Sequence, residues 1–580
     1  MEFDRNNFIP SHEGDNILPL SPFFSKLVRY AHRRPQRLAV RDLNLGVEKT
    51  YSQLLTDVIA VRKALRATLD TQVLKALAEG KQEVYIGLLA AGGYEYTVAF
   101  IAIIALGAAV VPMSVQIPVH EASYFVQKAR CVAVITSEAT KLLAQTLVEQ
   151  INTTDKKNLP CFSVAPFFCS SPLPTEEIQL SSGHYLDDNA AAVVIFTSGT
   201  TGPPKGAVMR RGWLHDCAES VMDHYRFAEG DVFLHVMPVH HATGVGVNFV
   251  PCLVAGACLE FRSGSVDVAW LWERFRSGGL AIFSGVPTIY MRMMRYYENN
   301  IATLPEMERR QYINGARGIR VLMCGTSALP SPVEKFWIDI LGGRRISIRY
   351  GATEIGAVFK APLNDNSVPE GSVGPTFPGV IAKLSEGDEG EILIKSPHMF
   401  SKYLYDEEAT AKAHDEEGFY KTGDIARREG KNHFIVGRAN IDIIKSGGYK
   451  LSALDIEREI LGLPYVGEVM VVGIADQEFG QRVGAVVSLR EGQKSYNANT
   501  DRNSAEKGGL KSLTIDDLRK DLRSVLAGYK MPTLLRVIEG ELPKGATGKV
   551  IKKVLGPKYF PANYEKDENV QVWVSSKSKL

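Results

Sequence analysis

An uninterrupted apolar run that ends in a loop of glycine, serine and threonine is the feature that most limits how this chain can fold. The run is Ala191–Phe196, whose length and lack of polar residues predict a strand buried on both faces of a sheet. The loop that follows reads TSGTTGPPKG over residues 197–206. Its glycines let the backbone approach a ligand closely, its hydroxyl and N–H groups can donate to phosphate oxygens, and Lys205 supplies a positive charge. The junction therefore predicts a buried strand that carries a triphosphate-binding loop.

This loop is not a Walker loop. Pro204 stands five residues after Gly199, where the Walker motif places its second glycine before Lys and Ser or Thr. A flexible surface loop is the alternative, and ten consecutive residues of this kind after a core strand argue against it. The residues predicted to bind the nucleotide phosphates are Thr197, Ser198, Gly199, Thr200, Thr201, Gly202 and Lys205.

Size and composition exclude some classes of protein. At 580 residues and 45% hydrophobic content the chain is globular and too long for one simple core, so we expect at least two domains. The formal net charge is only +2, from 67 basic and 65 acidic residues, which makes nucleic acid a poor candidate partner. Seven cysteines without a C-x-x-C pair are typical of a reducing compartment and indicate no zinc site.

The order of strand-like and helix-like segments predicts an α/β plus α+β fold. The two alternate through most of the first 430 residues, as expected for α/β layers with mostly parallel strands. A shorter α+β pattern follows Gly437. We therefore predict a large N-terminal layered α/β domain at 1–437, a small mobile α+β C-terminal domain at 438–560, and a polar tail at 561–580.

One segment resembles a membrane span. Residues 97–115 are uncharged and mostly apolar, but Gly107 and Pro112 interrupt them and no pair of charged anchors flanks them. We expect a buried helix that runs into a core strand, and no transmembrane segment.

The sequence ends in Ser578-Lys579-Leu580, which matches the peroxisomal import address. The polar residues before it would leave the tripeptide accessible to a receptor. We therefore expect recognition by the peroxisomal import receptor and a location in the peroxisome, with an untargeted polar tail as the alternative.

Further motifs lie in order along the chain: RYGATE at 349–354, YKTGD at 420–424, Gly437-Arg438, and PKGATGK at 543–549. With the 197–206 loop, they make the chain resemble adenylate-forming enzymes, the superfamily of acyl-CoA synthetases, luciferases and peptide-synthetase adenylation domains. The resemblance covers nearly the whole chain. It implies that the protein uses ATP, Mg²⁺ and coenzyme A together with a carboxylic acid substrate.

The resemblance also implies roles for residues around the nucleotide. Tyr350 would stack on adenine, Thr353 would contact the α-phosphate, and Glu354 would hold Mg²⁺, since a carboxylate beside a triphosphate suits a hard cation. Asp424 and Arg438 would bind the ribose. Gly325 is also assigned to the ATP and AMP site.

Three residues are implied to be catalytic: Lys549, His241 and Glu354. Lys549 matches the lysine that contacts the carboxylate and the departing phosphate during adenylation. Lys552 and Lys553 lie close by, but the Thr-Gly-Lys context favours Lys549. His241 matches the histidine at the mouth of the acyl pocket. The loop that approaches the pantetheine of CoA is implied to comprise Ser446, Gly447, Gly448 and Tyr449.

The segments GVPTIY at 285–290 and GSVG at 371–374 are similar to those of malonyl-CoA synthetases. In those enzymes an arginine that corresponds to Arg292 pairs with the distal carboxylate of malonate, a task that suits a guanidinium. Three features differ: Thr243 replaces a second histidine, Ala352 replaces a methionine, and the CGTS stretch at 324–327 replaces SGSA. The residues implied to bind the acyl group are His241, Thr243, Arg292 and Ala352.

Because Ala352 opens volume and Thr243 removes a polar ring, we expect an acid bulkier than malonate. The chain is thus predicted to be a peroxisomal ATP-dependent carboxylate–CoA ligase, by analogy one that activates a precursor of fungal secondary metabolism. Malonyl-CoA synthetase is the first alternative. An adenylating enzyme that feeds a carrier protein and a non-catalytic acyl-binding protein are the others.

Overall fold

The computed structural model describes residues 14, 16–156, 158–197, 203–325, 329–363, 367–439, 441–490, 513–544 and 550–573. Its strands up to residue 438 are β1 (Ile17–Leu20), β2 (Leu38–Asp42), β3 (Val47–Thr50), β4 (Tyr85–Leu89), β5 (Ala109–Met113), β6 (Val134–Thr136), β7 (Cys161–Ser163), β8 (Gln179–Tyr185), β9 (Ala191–Thr197), β10 (Lys205–Arg210), β11 (Val232–His235), β12 (Cys258–Phe261), β13 (Ile282–Gly285), β14 (Val321–Cys324), β15 (Ser347–Ala352), β16 (Gly356–Lys360), β17 (Ile381–Glu386), β18 (Glu389–Lys395), β19 (Lys402–Tyr403), β20 (Tyr420–Glu429) and β21 (Asn432–Arg438).

The α-helices of the same region are α1 (Pro22–Arg33), α2 (Tyr51–Thr68), α3 (Thr71–Glu79), α4 (Tyr94–Leu106), α5 (Val119–Lys128), α6 (Lys141–Asp155), α7 (Trp213–Tyr225), α8 (Val250–Ala255), α9 (Val268–Arg276), α10 (Pro287–Tyr296), α11 (Glu306–Gly318), α12 (Ser331–Ile340) and α13 (Glu407–Lys412). Two π-helical stretches join them, at Thr243–Phe249 and Tyr297–Ile301.

A seven-stranded sheet in the order β19-β10-β9-β5-β4-β6-β7 contains β9, the strand that precedes the predicted phosphate loop. Its pairs from β9 to β7 are parallel, and β10 turns back antiparallel to β9. Residues Ala191–Ile195 are buried, as the apolar run predicts. The apolar segment at 97–115 is also confirmed as core: α4 is buried over most of its length and leads into buried β5. Gly107 ends α4 with a φ of +89°, a conformation that favours glycine.

An eight-stranded sheet in the order β16-β15-β14-β13-β11-β12-β2-β3 forms the second layer. Its pairs from β15 to β2 are parallel, while β16 and β3 are antiparallel at the two edges. Helices pack on both layers around one large hydrophobic core. A four-stranded antiparallel sheet, β17-β18-β20-β21, follows. This part of the structure confirms the predicted layered α/β class with mostly parallel strands.

The remaining elements form a smaller α+β unit. They are β22 (Ile443–Ser446), β23 (Tyr449–Ser452), α14 (Ala453–Leu461), β24 (Val466–Asp476), β25 (Gly480–Leu489), α15 (Ile515–Leu522), β26 (Leu534–Ile538), α16 (Lys552–Tyr559) and β27 (Gln571–Val572). The six strands share one sheet and have hydrophobic clusters of their own. The chain changes from the four-stranded sheet to this one between Arg438 and Ile443.

The predicted start of a free polar tail at residue 561 is wrong. Strand β27 pairs with β26, and the side chains of Tyr564 and Val570 are buried in the core of the smaller unit. The packing therefore continues as far as Trp573, because a few apolar residues spaced among polar ones cover the edge of the sheet. Among the described residues, no helix is both long enough and apolar enough to span a membrane.

Candidate active site

The predicted phosphate loop connects two antiparallel strands. Thr197 at the end of β9 pairs with Lys205 at the start of β10, so the loop is the tip of a hairpin. The Lys205 ammonium lies 5.1 Å from the centre of the Tyr403 ring. The predicted phosphate ligands Ser198, Gly199, Thr200, Thr201 and Gly202 lie outside the described residues.

Glu354 joins the base of this hairpin to the RYGATE turn between β15 and β16. Its side chain is 8% exposed, and its Oε1 accepts a hydrogen bond of 3.0 Å from the Tyr403 hydroxyl. The Thr197 hydroxyl lies 3.4 Å from the same oxygen. Burial raises the pKa of Tyr403, and the Glu354 carboxylate raises it further, so this hydroxyl remains a donor. Thr353 occupies the same turn, one residue before Glu354.

Glu354 fits the role of the protein ligand of a nucleotide-bound Mg²⁺. Within the described ranges, no group of three or more His, Cys, Asp and Glu side chains is arranged to hold a metal ion. Mg²⁺ is commonly held by one or two carboxylates together with substrate phosphates and waters, so one buried carboxylate beside a phosphate loop is sufficient.

Asp424, Tyr350 and Arg438 form a second cluster, as the motifs imply. The Tyr350 hydroxyl donates to Oδ2 of Asp424 at 2.7 Å, and Nε of Arg438 donates to Oδ1 at 3.1 Å. Asp424 and Arg438 are partners in the register of β20 and β21. Burial raises the pKa of Asp424, and the charge of Arg438 and the Tyr350 hydroxyl act against that rise. The cluster offers an aromatic ring, a carboxylate and a cation to a nucleoside.

The predicted acyl residues lie on three elements. Thr243 begins the π-helical stretch Thr243–Phe249, His241 lies two residues before it, and Ala352 ends β15. Gly244 is required at this start, since a Cβ there would lie 1.9 Å from the carbonyl oxygen of Pro238. Burial, together with the neighbouring His241, lowers the pKa of His240 to about 3, so the His240 ring is neutral.

Arg292 lies at the junction between the large and small units. It projects from α10, is 40% exposed, and donates to both carboxylate oxygens of Glu541 at 2.5 and 2.7 Å. The guanidinium thus already has a bidentate carboxylate partner within the chain. Its predicted contact with the acid remains a prediction.

The predicted CoA loop is an exposed hairpin turn. Ser446 pairs with Tyr449, and Gly447 and Gly448 form the turn with φ values of +54° and +84°. Two successive residues in this conformation favour glycine at both positions. Tyr449 is 54% exposed, and its ring stacks on Tyr529 at 4.4 Å.

Lys549 lies outside the described residues, but both ends of its segment are held by ion pairs. Lys544 contacts Glu468 at 2.6 Å before it. After it, Lys552 contacts Asp442 at 2.6 Å and Glu457 at 2.8 Å, and all three side chains are at most 14% exposed. Gly325, at the end of β14, lies against Arg349: a Cβ on it would be 3.1 Å from Nε of Arg349.

Two features of the site were missed by the sequence analysis. Tyr403 reaches Glu354 because the two-residue strand β19 pairs with β10. No local sequence pattern predicts this pairing. The sequence motif favours Lys549 and gives the nearby Lys552 no role of its own. Its spacing of three residues from Lys549 is a weak signal, and its partners Asp442 and Glu457 are distant in sequence.

Comparison with known proteins gives consistent matches. The family model of the AMP-binding enzyme matches residues 27–404, and that of the AMP-binding enzyme C-terminal domain matches residues 455–549. The chain is 32% identical to acyl-CoA ligase oryP of Aspergillus oryzae over 569 residues, which cover 96% of each chain. It is 32% identical to the mitochondrial malonate–CoA ligase ACSF3 of Mus musculus over 515 residues, 83% of this chain and 82% of that protein.

A solved structure shares the fold. ATP-bound MatB of Rhodopseudomonas palustris superposes with a TM-score of 0.73, at 24% identity, over 94% of this chain and 99% of MatB. The match extends over both the large and the small unit. It therefore supports the overall architecture rather than any one contact of the site.

Proposed function

We propose the activity of this chain from the fact that it belongs to the AMP-binding enzyme family. It is an AMP-forming acyl-CoA synthetase, which activates a carboxylic acid with ATP and transfers the acyl group to CoA. One observation carries the proposal. The hairpin β15–β16 presents Tyr350 to Asp424 and Arg438, and Glu354 to the base of the phosphate loop, so a nucleoside site and a phosphate site are adjacent.

In the first half-reaction a carboxylate oxygen attacks the α-phosphorus of ATP. The new P–O bond gives acyl-AMP, and the bond to the β-phosphate breaks to release pyrophosphate. Lys549, Lys205 and the loop donors would offset the charge that develops on the phosphate oxygens. Mg²⁺, when bound through Glu354, supplies further charge neutralisation.

In the second half-reaction the CoA thiolate attacks the acyl carbonyl, and the bond to the AMP oxygen breaks. We propose that the small unit first rotates near residues 438–442. This rotation would move Lys549 away from the acyl-AMP and bring the Ser446–Tyr449 turn close to it. Such alternate use of one site requires a hinge. The exposure of that turn is compatible with an approach of the CoA arm.

We propose that the acid is bulkier than malonate. Ala352 is a small side chain at the end of β15, where malonyl-CoA synthetases carry a methionine, and the pairing of Arg292 with Glu541 occupies the group that would bind a malonate carboxylate. Malonate is the alternative, and it requires Arg292 to leave Glu541. Relatives at 32% identity include both a protein named acyl-CoA ligase and a malonate–CoA ligase, so the comparisons favour neither acid.

We further propose that the enzyme works in the peroxisome on a precursor of fungal secondary metabolism. The support is the Ser578-Lys579-Leu580 motif, which lies outside the described residues, and the resemblance to fungal peroxisomal acyl-CoA ligases. Its partners would be the import receptor and the free acid.

The test incubates the purified protein with ATP, Mg²⁺, CoA and a panel of acids, and quantifies AMP, pyrophosphate and acyl-CoA by mass spectrometry. The expected result is AMP and acyl-CoA in equal amounts with the preferred acid. Acyl-AMP that forms without transfer to CoA would support delivery to a carrier protein instead. A protein that forms no AMP with any acid would contradict the enzymatic proposal.

A further inference from the structure

Helix α10 carries two arginines that reach from the large unit to the small one. The Arg292 guanidinium donates to both carboxylate oxygens of Glu541, and the Arg295 guanidinium donates to the carbonyl oxygen of Gly467. The two arginines are three positions apart, so they lie on neighbouring turns of one helix face. Glu541 and Gly467 both belong to the smaller unit. Helix α10 therefore contacts the smaller unit at two points.

A third contact follows directly after α10. Glu298, in the π-helical stretch that continues the helix, lies 3.9 Å from Arg490, whose Nε donates to the carbonyl oxygen of Val466 at 3.3 Å. The charges are complementary across the junction, because the large unit presents two arginines and then an acid, and the small unit presents an acid, a carbonyl and then an arginine. We call Arg292, Arg295 and Glu298 the α10 clasp.

Arg295 is the partly buried member of the clasp. Burial lowers the pKa of Arg295, and the charge of Arg490 lowers it further, whereas three nearby acids act against that fall. Its Nε is buried and has no hydrogen-bond partner in the part of the chain that the structure describes. Because a buried guanidinium requires acceptors, the Gly467 carbonyl stabilises Arg295, and it does so only while the two units are docked.

The clasp is connected to the segment that carries Lys549. Glu541 accepts a second hydrogen bond from Lys544, at 2.9 Å, and Lys544 forms a backbone β-bridge with Val550. Hydrogen bonds from Lys544 and from Arg292 lower the pKa of Glu541, so its carboxylate is ionised at neutral pH. A displacement of Glu541 away from α10 would therefore also displace the segment that carries Lys549.

Helix α10 begins beside the nucleotide site. It follows β13, in which Gly285 pairs with Cys324 of β14, and Cys324 pairs with Ile348 of β15. These strands are parallel, so their carboxyl ends meet at one edge of the sheet, where ligands of such sheets bind. Tyr350 lies at this end of β15, and its hydroxyl donates to Asp424. A helix that starts at this edge can hold the small unit against the nucleotide site.

A rotation of the small unit near residues 438–442 must break the clasp. The three clasp residues stay with the large unit, whereas their partners move with the small unit. The contacts of Lys544 with Glu468 and with Glu541 lie within the small unit, so they can persist. The clasp therefore belongs to one orientation, the one in which the segment that carries Lys549 is held next to α10.

We propose that Arg292 and Arg295 are positioning residues, which hold the small unit in the orientation that serves adenylation. They act through Glu541 and the segment that carries Lys549, and not on the acid itself. This inference rests on the proposed ligase function with its two orientations. It assigns Arg292 to the junction between the units and leaves recognition of the acid to other residues.

The test measures the two half-reactions separately. Adenylation is followed by ATP–pyrophosphate exchange with the preferred acid, and thioester formation is followed by CoA-dependent release of AMP from supplied acyl-AMP. The variants are Arg292→Gln, Glu541→Gln, the two together, and Arg295→Met. Arg310→Gln is the matched control, because Arg310 pairs with Glu306 at 2.5 Å within α11 of the large unit.

Arg292→Gln and Glu541→Gln should each lower the kcat of exchange by about two- to fivefold, the effect of losing an exposed ion pair. The double variant should lose no more than one single variant, since both changes remove the same contact. Arg295→Met should lower this kcat by about tenfold, because it removes a hydrogen bond from a charged donor. Glu541→Gln should keep thioester formation, and Arg310→Gln should keep both half-reactions.

Glu541→Gln also separates this role of Arg292 from one at the acid. If Arg292 bound the acid, its release from Glu541 would strengthen that binding and raise kcat/KM for malonate. An exchange rate that rises or stays unchanged in Glu541→Gln overturns the proposal. An equal fall of both half-reactions in this surface variant overturns it too.

Should no acid yield AMP, the ligase function itself fails, and limited proteolysis decides the present inference. Trypsin cleavage after Arg438 reports the opening of the junction, and Glu541→Gln neither adds nor removes a trypsin site. Faster release of the fragment that ends at Arg438 in Glu541→Gln than in wild type supports the clasp. Equal rates of release overturn it.

Discussion

Replacement of Lys552 by Met should strongly destabilise the smaller unit. The Lys552 ammonium lies between the carboxylates of Asp442 and Glu457, at 2.6 and 2.8 Å, and all three side chains are nearly buried. Loss of one partner of a buried ion pair typically costs about 3–5 kcal/mol, because the remaining charge is left without compensation. Two carboxylates are left here, so we expect the upper part of that range.

The pH dependence of this loss has a defined sign. Burial raises the pKa of Glu457, and Lys552 acts against the rise. Without Lys552 the pKa of Glu457 rises further. A carboxyl group whose pKa is higher in the folded state contributes stability below its unfolded pKa, and this contribution is lost as pH rises through the folded value. The deficit of Lys552→Met should therefore be smaller at pH 5 than at pH 8.

Hydrogen-exchange mass spectrometry is the appropriate assay, because it reports the opening of α14 and β24 separately from that of the large unit. Lys558→Met is the matched control, since Lys558 is an exposed lysine on the same helix. Addition of Glu457→Gln to Lys552→Met should recover part of the loss and define the coupling. Exchange in α14 that is equal in Lys552→Met and Lys558→Met would refute the reasoning.

Three further predictions concern catalysis and location. Lys549→Ala should lower acyl-AMP formation by about 100-fold or more while sparing thioester formation from supplied acyl-AMP; an equal loss in both half-reactions would contradict the two-conformation scheme. Ala352→Met should lower kcat/KM for acids longer than malonate, by about 0.8 kcal/mol for each methylene that loses its place, and leave malonate little changed; a malonate preference in wild type would argue against the bulkier acid. Deletion of residues 578–580 should make a fluorescent fusion cytosolic without loss of activity in extract, and a persistent peroxisomal signal would point to another address.

Local patterns predicted those parts of the fold that depend on neighbouring residues. The buried strand β9 follows from an apolar run. Asp424 and Arg438, which the resemblance assigns to the ribose, lie on paired strands and contact each other. The contact between Tyr403 and Glu354 could not be predicted, because it depends on the pairing of β10 with β19, almost 200 residues later. The same limit applies to the end of the small unit, where the pairing of β27 with β26 determines what is buried.

The pairing of Arg349 with Lys360 shows a further limit. The two residues are eleven positions apart in the sequence, and their proximity cannot be predicted until the turn between β15 and β16 is known. The register of that hairpin converts two unremarkable cations into a buried pair.

The hinge region connects the two halves of the proposed cycle through Asp442. The Asp442 Oδ2 accepts a hydrogen bond from the backbone N–H of Arg438, whose side chain donates to Asp424. The Asp442 Oδ1 accepts from the ammonium of Lys552, three residues after Lys549. A rotation between residues 438 and 442 must break the bond to the Arg438 N–H and the bond that the Asp442 N–H donates to the Arg438 carbonyl oxygen. The bond to Lys552 need not break, because Lys552 and Glu457 belong to the smaller unit with which Asp442 would move. The buried carboxylate therefore keeps its counter-charge throughout the rotation, and the rotation does not have to expose an unpaired buried charge.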